Sequence, residues 1–374
     1  MRPIIDAHLD LAWNALSFDR DQTLELDDMR KREAGMTWKG RGNCTVSLPE
    51  MRRAHVGVCL ATVLCRAMPQ DVPEMTSNLG PAGTRQHGEV ILREDLDYCN
   101  QAVASAIGQG QAAYYRVLEQ QGEIRMIRTA RDLEDAWTPW AAGETDAPIG
   151  YILSMEGTDP IVDPSQAEWW FEQGLRTACL AHYGPSAYAM GTGGDGPLTA
   201  KGRDLLGEFN RLGLILDLVH TADLAFEQAL EVYSGPVFIS HGNCRAIVPH
   251  DRQISDDQIR KTAERDGVIG AVCDAWMIVP DYVRQEPERP CATLEKLADH
   301  IDHVCQVTGD SRHVAIGSDL DGGFGYEQTP AELKTIADLR ILEPILTTRG
   351  YSDEELDGIF YGNWLRFFAG ALPG

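Results

Sequence analysis

The sequence predicts a (β/α)8 barrel, and three observations predict it. Eight short apolar runs are spread along 374 residues. Amphipathic stretches that open with Ser, Thr or Asp and close at Gly lie between many of them, which are helix start and stop signals. Residues of metal-binding type end six of the runs, at the end where barrel enzymes carry their chemistry. A doubly wound open sheet is the alternative. No Gly-x-Gly-x-x-Gly follows a strand, so dinucleotide binding gains no support.

The runs are "PIIDA" (3–7), "VGVCLATVLC" (56–65), "IGYILSME" (149–156), "LRTACLAH" (175–182), "LGLILDLVH" (212–220), "GPVFISH" (235–241), "GVIGAVCDA" (267–275) and "HVAIGSD" (313–319). They are apolar nearly throughout, as parallel strands covered on both faces must be. Helical patterns cover 199–213, 221–233, 255–267 and 293–309. Residues 66–148 are long for one β/α unit and read as an insertion in a single domain spanning 1–374. That insertion holds a helix at 95–121 and a further segment at 124–137. "MGTGGDGPL" (190–198) lacks the Gly-Lys-Ser/Thr of a phosphate loop and reads as a flexible loop at the active face.

Composition narrows the class of function. The formal net charge of -24 leaves no basic face for nucleic acid. No run approaches the ~18 apolar residues of a membrane span. No signal peptide is visible, because only two apolar residues separate Pro3 from Asp6. Nine cysteines, with no Cys-x-x-Cys pair, read as reduced and buried thiols of a cytoplasmic protein.

The strand-end residues form a coherent set: His8, Asp10, Glu156, His182, His220, His241 and Asp319. A lone histidine at a strand end is more often structural than a ligand. Seven such residues at one rim are not explained by chance placement. Residues i and i+2 of a strand face the same side, so His8 and Asp10 can bind one metal. His220 and His241, from neighbouring strands, can bind a second, and Glu156 is the candidate to bridge both. Imidazole and carboxylate donors without Cys suit Zn2+, with Mn2+, Co2+ or Fe2+ as alternatives. Two metals about 3.5 Å apart would acidify a shared water and polarise a carbonyl.

On these residues the chain resembles the membrane dipeptidase (renal dipeptidase, peptidase M19) family of the amidohydrolase superfamily, nearly end to end and most closely its bacterial members. "DAHLDLAWNAL" is similar to the family's opening His-x-Asp strand, and "SMEGTDP" to the segment around the bridging Glu. The block from "LAHYGPSAYAMGTGGDGPLTAKGRD" to "LILDLVH" is the most specific match. "FISHGNCRAIVPHDRQISDDQI", "HVAIGSDLDGG" and "IFYGNWLRFFAG" continue it. The resemblance implies two zinc ions, one on His8 and Asp10, the other on His220 and His241, bridged by Glu156. It implies that His182 holds the substrate carbonyl and its oxyanion, that Arg252 grips the substrate's C-terminal carboxylate, and that Asp319 lies near the amine and moves a proton. The sequence departs from the family at "SHGN", at Gln253 and at Leu320. These departures bear on specificity and remove no ligand.

The expected function is hydrolysis of dipeptides, including L-Xaa-D-Xaa, by a metal-bridging hydroxide. The expected partners are small dipeptides, and a homodimer is allowed. Another amidohydrolase reaction in the same cage (of a lactone, β-lactam or N-acyl amino acid) is the first alternative, and a non-catalytic ligand-binding barrel is the second. His55, His300 and His303 read as surface residues. His250 reads as a neighbour of the site at most, and Arg245 as a weaker candidate for the role of Arg252. Asp217 reads as structural, Asp321 as the substitute for Asp319, and Trp169 and Trp170 as packing.

Overall fold

The computed structural model describes residues 1–67, 96–283 and 292–374, with the backbone of 85–86 and 89–90. Its barrel strands are β1 (Ile4–Leu9), β2 (Val56–Leu64), β3 (Ile149–Glu156), β4 (Leu175–Cys179), β5 (Ile215–Asp217), β6 (Val237–Phe238), β7 (Ile269–Ala271) and β8 (Val314–Ile316). Each lies inside or across one of the eight apolar runs. All neighbouring ladders are parallel, in the order β1-β2-β3-β4-β5-β6, with β7 on β8. A parallel bridge from Ile239 to Ile269 joins β6 to β7.

Every residue of β2 and β3 is buried, because helices cover one face and the barrel interior the other. The last helix, Asn363–Ala371, covers β6 from outside. Phe238 meets the rings of Trp364 and Phe368 edge-on, at 5.8 and 5.7 Å. Removing that ring should cost about 3–5 kcal/mol.

Two buried carboxylates stitch strands together just below the rim. Asp6 of β1 accepts from the backbone N–H of Ser318 (2.9 Å), its hydroxyl (2.5 Å) and the N–H of His8 (3.2 Å). This closes the barrel between β8 and β1. Asp217 of β5 accepts from the N–H groups of Ser240 and Val219, both at 3.0 Å, and ties β5 to the end of β6. Burial raises the pKa of both carboxyls, and these hydrogen bonds oppose the shift. Glycine is needed where three chains converge. A Cβ on Gly270 or Gly317 would stand 1.9 or 1.8 Å from the carbonyl oxygen of Ser240.

Between β2 and β3 the chain forms the helix Gln101–Gln120, the strand Ile124–Met126 and the helix Ala130–Ala141. The helix expected over 95–121 thus starts later, and position 95 lies outside the described residues. The segment at 124–137 is divided. Its first three residues pair with the foot of β3, and Thr129 then caps the helix through a capping box.

Two histidines expected at the surface are buried. His55 ends the helix Leu48–Ala54 and packs on Trp140, ring centroids 5.4 Å apart. His300 sits in the buried stripe of the helix Leu294–Thr308, beside Leu297, Ile301 and Val304. Its ring joins a loop to a short helix, Ala275–Ile278: Nδ1 accepts from the N–H of Cys244 (3.1 Å), and Nε2 faces the carbonyl oxygen of Ile278 (3.0 Å). A polar residue type on a helix suggested solvent; the hydrogen-bonding needs of these neighbouring segments brought it inside. His303 is half-buried against Asp256. Trp170 is buried and Trp169 partly exposed. Cys44, Cys59, Cys65, Cys179, Cys244 and Cys273 are buried thiols; Cys291 lies outside the described residues.

Candidate active site and metal centre

Six of the seven strand-end side chains line one cavity, and the seventh, His8, packs against Glu156. Glu156, the last residue of β3, is its centre. His8 Nε2 lies 3.4 Å from Glu156 Oε2. The Nε2 atoms of His220, His241 and His182 lie 3.2, 3.6 and 3.6 Å from Oε1. Four imidazoles thus converge on one buried carboxylate. Asp10 Oδ1 is 3.8 Å from His8 Nε2, and the Thr62 hydroxyl donates to Asp10. Asp319 bridges the other side, with Oδ1 3.8 Å from His8 Nε2 and Oδ2 4.0 Å from His241 Nε2.

The opposite ring edges are held by hydroxyls. Thr192 Oγ1 lies 2.9 Å from His220 Nδ1, and Ser240 Oγ lies 3.0 Å from His241 Nδ1. Thr192 belongs to the Gly-rich loop expected to be flexible. Its backbone N–H donates to the His182 carbonyl oxygen at 3.0 Å, and the N–H of Gly193 donates to Asp251. His220 and Asp319 both take left-handed backbone angles, φ 58° and 56°. Non-glycine residues adopt these at a cost, and such strain gathers at functional sites.

The electrostatics describe a pocket short of positive charge. Burial drives His220 and His241 well below the ordinary imidazole pKa, helped by Arg252 and the other rings. Burial would also lower His8, but Glu156 and Asp10 outweigh it and hold His8 well above the usual value. Burial pushes the carboxyls of Glu156 and Asp319 up, against the pull of His8. Among the described residues His8 Nε2 is buried without a hydrogen-bond partner. A cation would offset the raised pKa of the carboxyls and take the place of the His8 proton, while His220 and His241, held neutral, already present the form a metal ligand needs. Three sets of donors lie within 4.8 Å of one another: His8–Asp10–Glu156, Glu156–His220–His241 and His8–His241–Asp319. The first two share Glu156. The donors are imidazole and carboxylate only, so the residues fit a borderline or hard divalent ion.

The cavity holds about 310 Å³ and is also lined by Arg252, Trp276 and Asp274, a volume within the usual range for small-molecule sites. Arg252 is 5% exposed. Its Nη2 donates to the His241 carbonyl oxygen (3.2 Å), and its Nε is buried without a partner among the described residues. The loop that carries it is braced by Gln253, which donates to the Met277 carbonyl oxygen (2.6 Å). His250 accepts from the N–H of Arg252 and packs on Trp276. Arg245 is turned away, paired with Asp223. Asp321 is also turned away, accepting from the backbone and hydroxyl of Thr45.

Sequence reasoning missed Asp274 and Arg66. Asp274 is the next-to-last residue of the β7 run, close to where the other site residues stand in theirs, so a slightly looser form of the same rule would have found it. It accepts from Gln328 (2.7 Å) and from the indole of Trp276 (2.6 Å). Arg66 carried no signal.

A model of the family described as membrane dipeptidase (peptidase family M19) matches residues 1–371. The chain belongs to that family. It is 34% identical to an uncharacterized dipeptidase of Schizosaccharomyces pombe over 224 residues, 58% of this chain and 52% of the relative. It is 32% identical to dipeptidase aclJ of Aspergillus oryzae over 223 residues, 58% and 50% of the two chains. The chain thus spans about half the length of these curated relatives. Among solved structures, the metallo peptidase from Rhodobacter sphaeroides, liganded with a phosphinate mimic of the dipeptide L-Ala-D-Ala, superposes with a TM-score of 0.74. Identity there is 21%, over 99% of both chains. The probable dipeptidase PvdM from Pseudomonas aeruginosa gives a TM-score of 0.72 at 18% identity, over 99% of this chain and 95% of that one. These two share the family's barrel fold.

Proposed function

We propose that this chain is a metal-dependent dipeptidase that hydrolyses the peptide bond of dipeptides, including those with a D-residue at the C-terminus. The observation that carries the reading is the convergence of His8, Asp10, His220 and His241 on Glu156, with Arg252 facing the same cavity. We assign two zinc ions, one to His8 and Asp10 and one to His220 and His241, with Glu156 between them. When bound, such a pair acidifies water and polarises a carbonyl. The Rhodobacter sphaeroides enzyme of the same fold was captured with a mimic of L-Ala-D-Ala, which supports the D-residue.

The chain's own residues supply the rest. Arg252 offers a planar fork to the substrate's C-terminal carboxylate, and that ligand explains its buried Nε, which has no partner among the described residues. His182 directs Nε2 into the cavity, where it can donate to the carbonyl oxygen as negative charge develops. Asp319, half-buried and with its pKa raised by desolvation, accepts the proton of the attacking water and returns it to the leaving amine. We read residues 1–374 as one domain, with 66–148 inserted in it. Among the described residues no helix is long and apolar enough to cross a membrane. The buried free cysteines fit the cytoplasm.

The test is a panel of dipeptides, their C-terminal amides, N-acyl amino acids and lactones, offered to zinc-loaded enzyme. Release of both amino acids from free dipeptides, with little from amides, is the expected result. Turnover confined to lactones or N-acyl amino acids would move the chain to the other amidohydrolase reactions. Asp319→Asn should keep its metals and lose about 10²–10⁴-fold in kcat. Near-normal turnover would place the proton transfer elsewhere.

A further inference from the structure

The ring of His182 has a second neighbour on the edge that faces away from Glu156. Arg66 lies two residues beyond β2, in a short strand Arg66–Ala67 that pairs in parallel with Asp97–Tyr98. Its Nε and Nη2 donate to the two carboxylate oxygens of Asp97, both at 2.6 Å. Both side chains are buried. The remaining nitrogen, Nη1, points to His182 Nδ1 and to the carbonyl oxygen of Tyr183, each at 3.4 Å.

We propose that Arg66, gripped by Asp97, is a positioning residue that fixes His182 in its Nε2–H tautomer. The proposal rests on the dipeptidase reading, in which His182 donates to the oxyanion. A guanidinium carries five N–H donors and no acceptor. The imidazole nitrogen that faces it must therefore present a lone pair. A neutral imidazole has one N–H, which is then on Nε2, the atom that enters the cavity. The other tautomer would set N–H against N–H at Arg66. It would also aim a lone pair at the atom on which negative charge grows.

The neighbouring rings lack this constraint. His220 and His241 face hydroxyls of Thr192 and Ser240, and a hydroxyl can donate or accept. A group that can only donate or only accept decides the tautomer, and Arg66 can only donate. The bidentate pair with Asp97 keeps the fork from swinging away. The main chain of His182 is held separately: Thr192 N–H binds its carbonyl oxygen, and a Cβ on Gly191 would come within 1.9 Å of that oxygen. Arg66 is thus left to set the proton of the ring, not the path of the chain.

The test is nitrogen NMR of zinc-loaded protein labelled with 15N-histidine, the His182 signals being identified by their loss in His182→Asn. The expected wild-type spectrum has Nδ1 unprotonated and Nε2 protonated. Arg66→Met should shift His182 to mixed tautomers and lower kcat about 10²-fold, the scale of one lost oxyanion donor, with KM little changed. Arg66→Lys should keep the wild-type tautomer and recover part of kcat. A merely structural Arg66 would lower stability and leave the tautomer alone. An Nδ1–H tautomer in the wild type, or an unchanged one in folded Arg66→Met, overturns the proposal. Should Arg66→Met not fold, Asp97→Asn carries the same comparison, and the wild-type spectrum decides by itself. The spectra need no substrate. Failure of the wild type to cleave any dipeptide would therefore sink the dipeptidase reading and leave the tautomer result standing.

Discussion

The two walls of the cavity are built differently. One wall is made of strand ends: His8, Asp10, Glu156, His220 and His241 stand on or just beyond β1, β3, β5 and β6. Their strands are joined by parallel ladders, and buried Asp6 and Asp217 tie the strand ends to one another. The other wall is made of loops. Arg252 and Trp276 are carried by segments that leave the barrel, and side-chain bonds such as those of Gln253, His250 and His300 brace them. A strand holds a donor to within a fraction of an ångström, which a metal requires. A loop can be re-aimed by changing one brace, which suits substrate selection. The strand wall should therefore govern metal and turnover, and the loop wall should govern recognition and response to pH.

The largest effect is expected at the strand wall. His220→Ala removes a donor from the Glu156–His220–His241 set. Metal analysis should show loss of one ion, and activity should fall to background even with excess zinc. Full activity with one ion per chain would break the comparison, because a single ion would then suffice.

A smaller effect is expected from Arg252→Lys. The charge stays, but the planar fork is lost. kcat/KM for dipeptides should drop by about 2–3 kcal/mol, the scale of a charged hydrogen bond, while metal content is unchanged. Equal turnover of a dipeptide and its amide by the wild type would remove Arg252 from this role.

The smallest effect concerns the brace at His300. Burial lowers its pKa to about 4, so the folded protein holds it neutral, while the unfolded chain binds its proton near pH 6.5. The unfolded state takes up more protons below that value, so stability is full above about pH 6.5 and declines toward pH 4. The decline should reach about 2 kcal/mol between pH 8 and pH 5. Protonation also sets a donor against the N–H of Cys244, which loosens the loop that leads to Arg252. Denaturant melts at the two pH values should show this slope in the wild type and a flatter one in His300→Gln. The same slope in both proteins would place the acid sensitivity in another group.

The sequence by itself determined the barrel and its rim. Apolar runs that are buried on both faces must be central strands, and a histidine or carboxylate after such a run must stand at the strand's end. For that reason His8, Glu156, His220 and His241 were legible, and Asp274 would have been by a slightly looser form of the same rule. Tertiary structure alone decided what lies behind and across from them. Arg66 and Asp97 meet because residues 31 positions apart pair as a short strand beyond β2, and no local periodicity marks that. His300 is inside because a distant loop and a short helix each needed one hydrogen bond there. Periodicity reports which face of an element is dry, but the partner of a buried polar atom depends on which chains meet, and that is settled only when the whole fold closes.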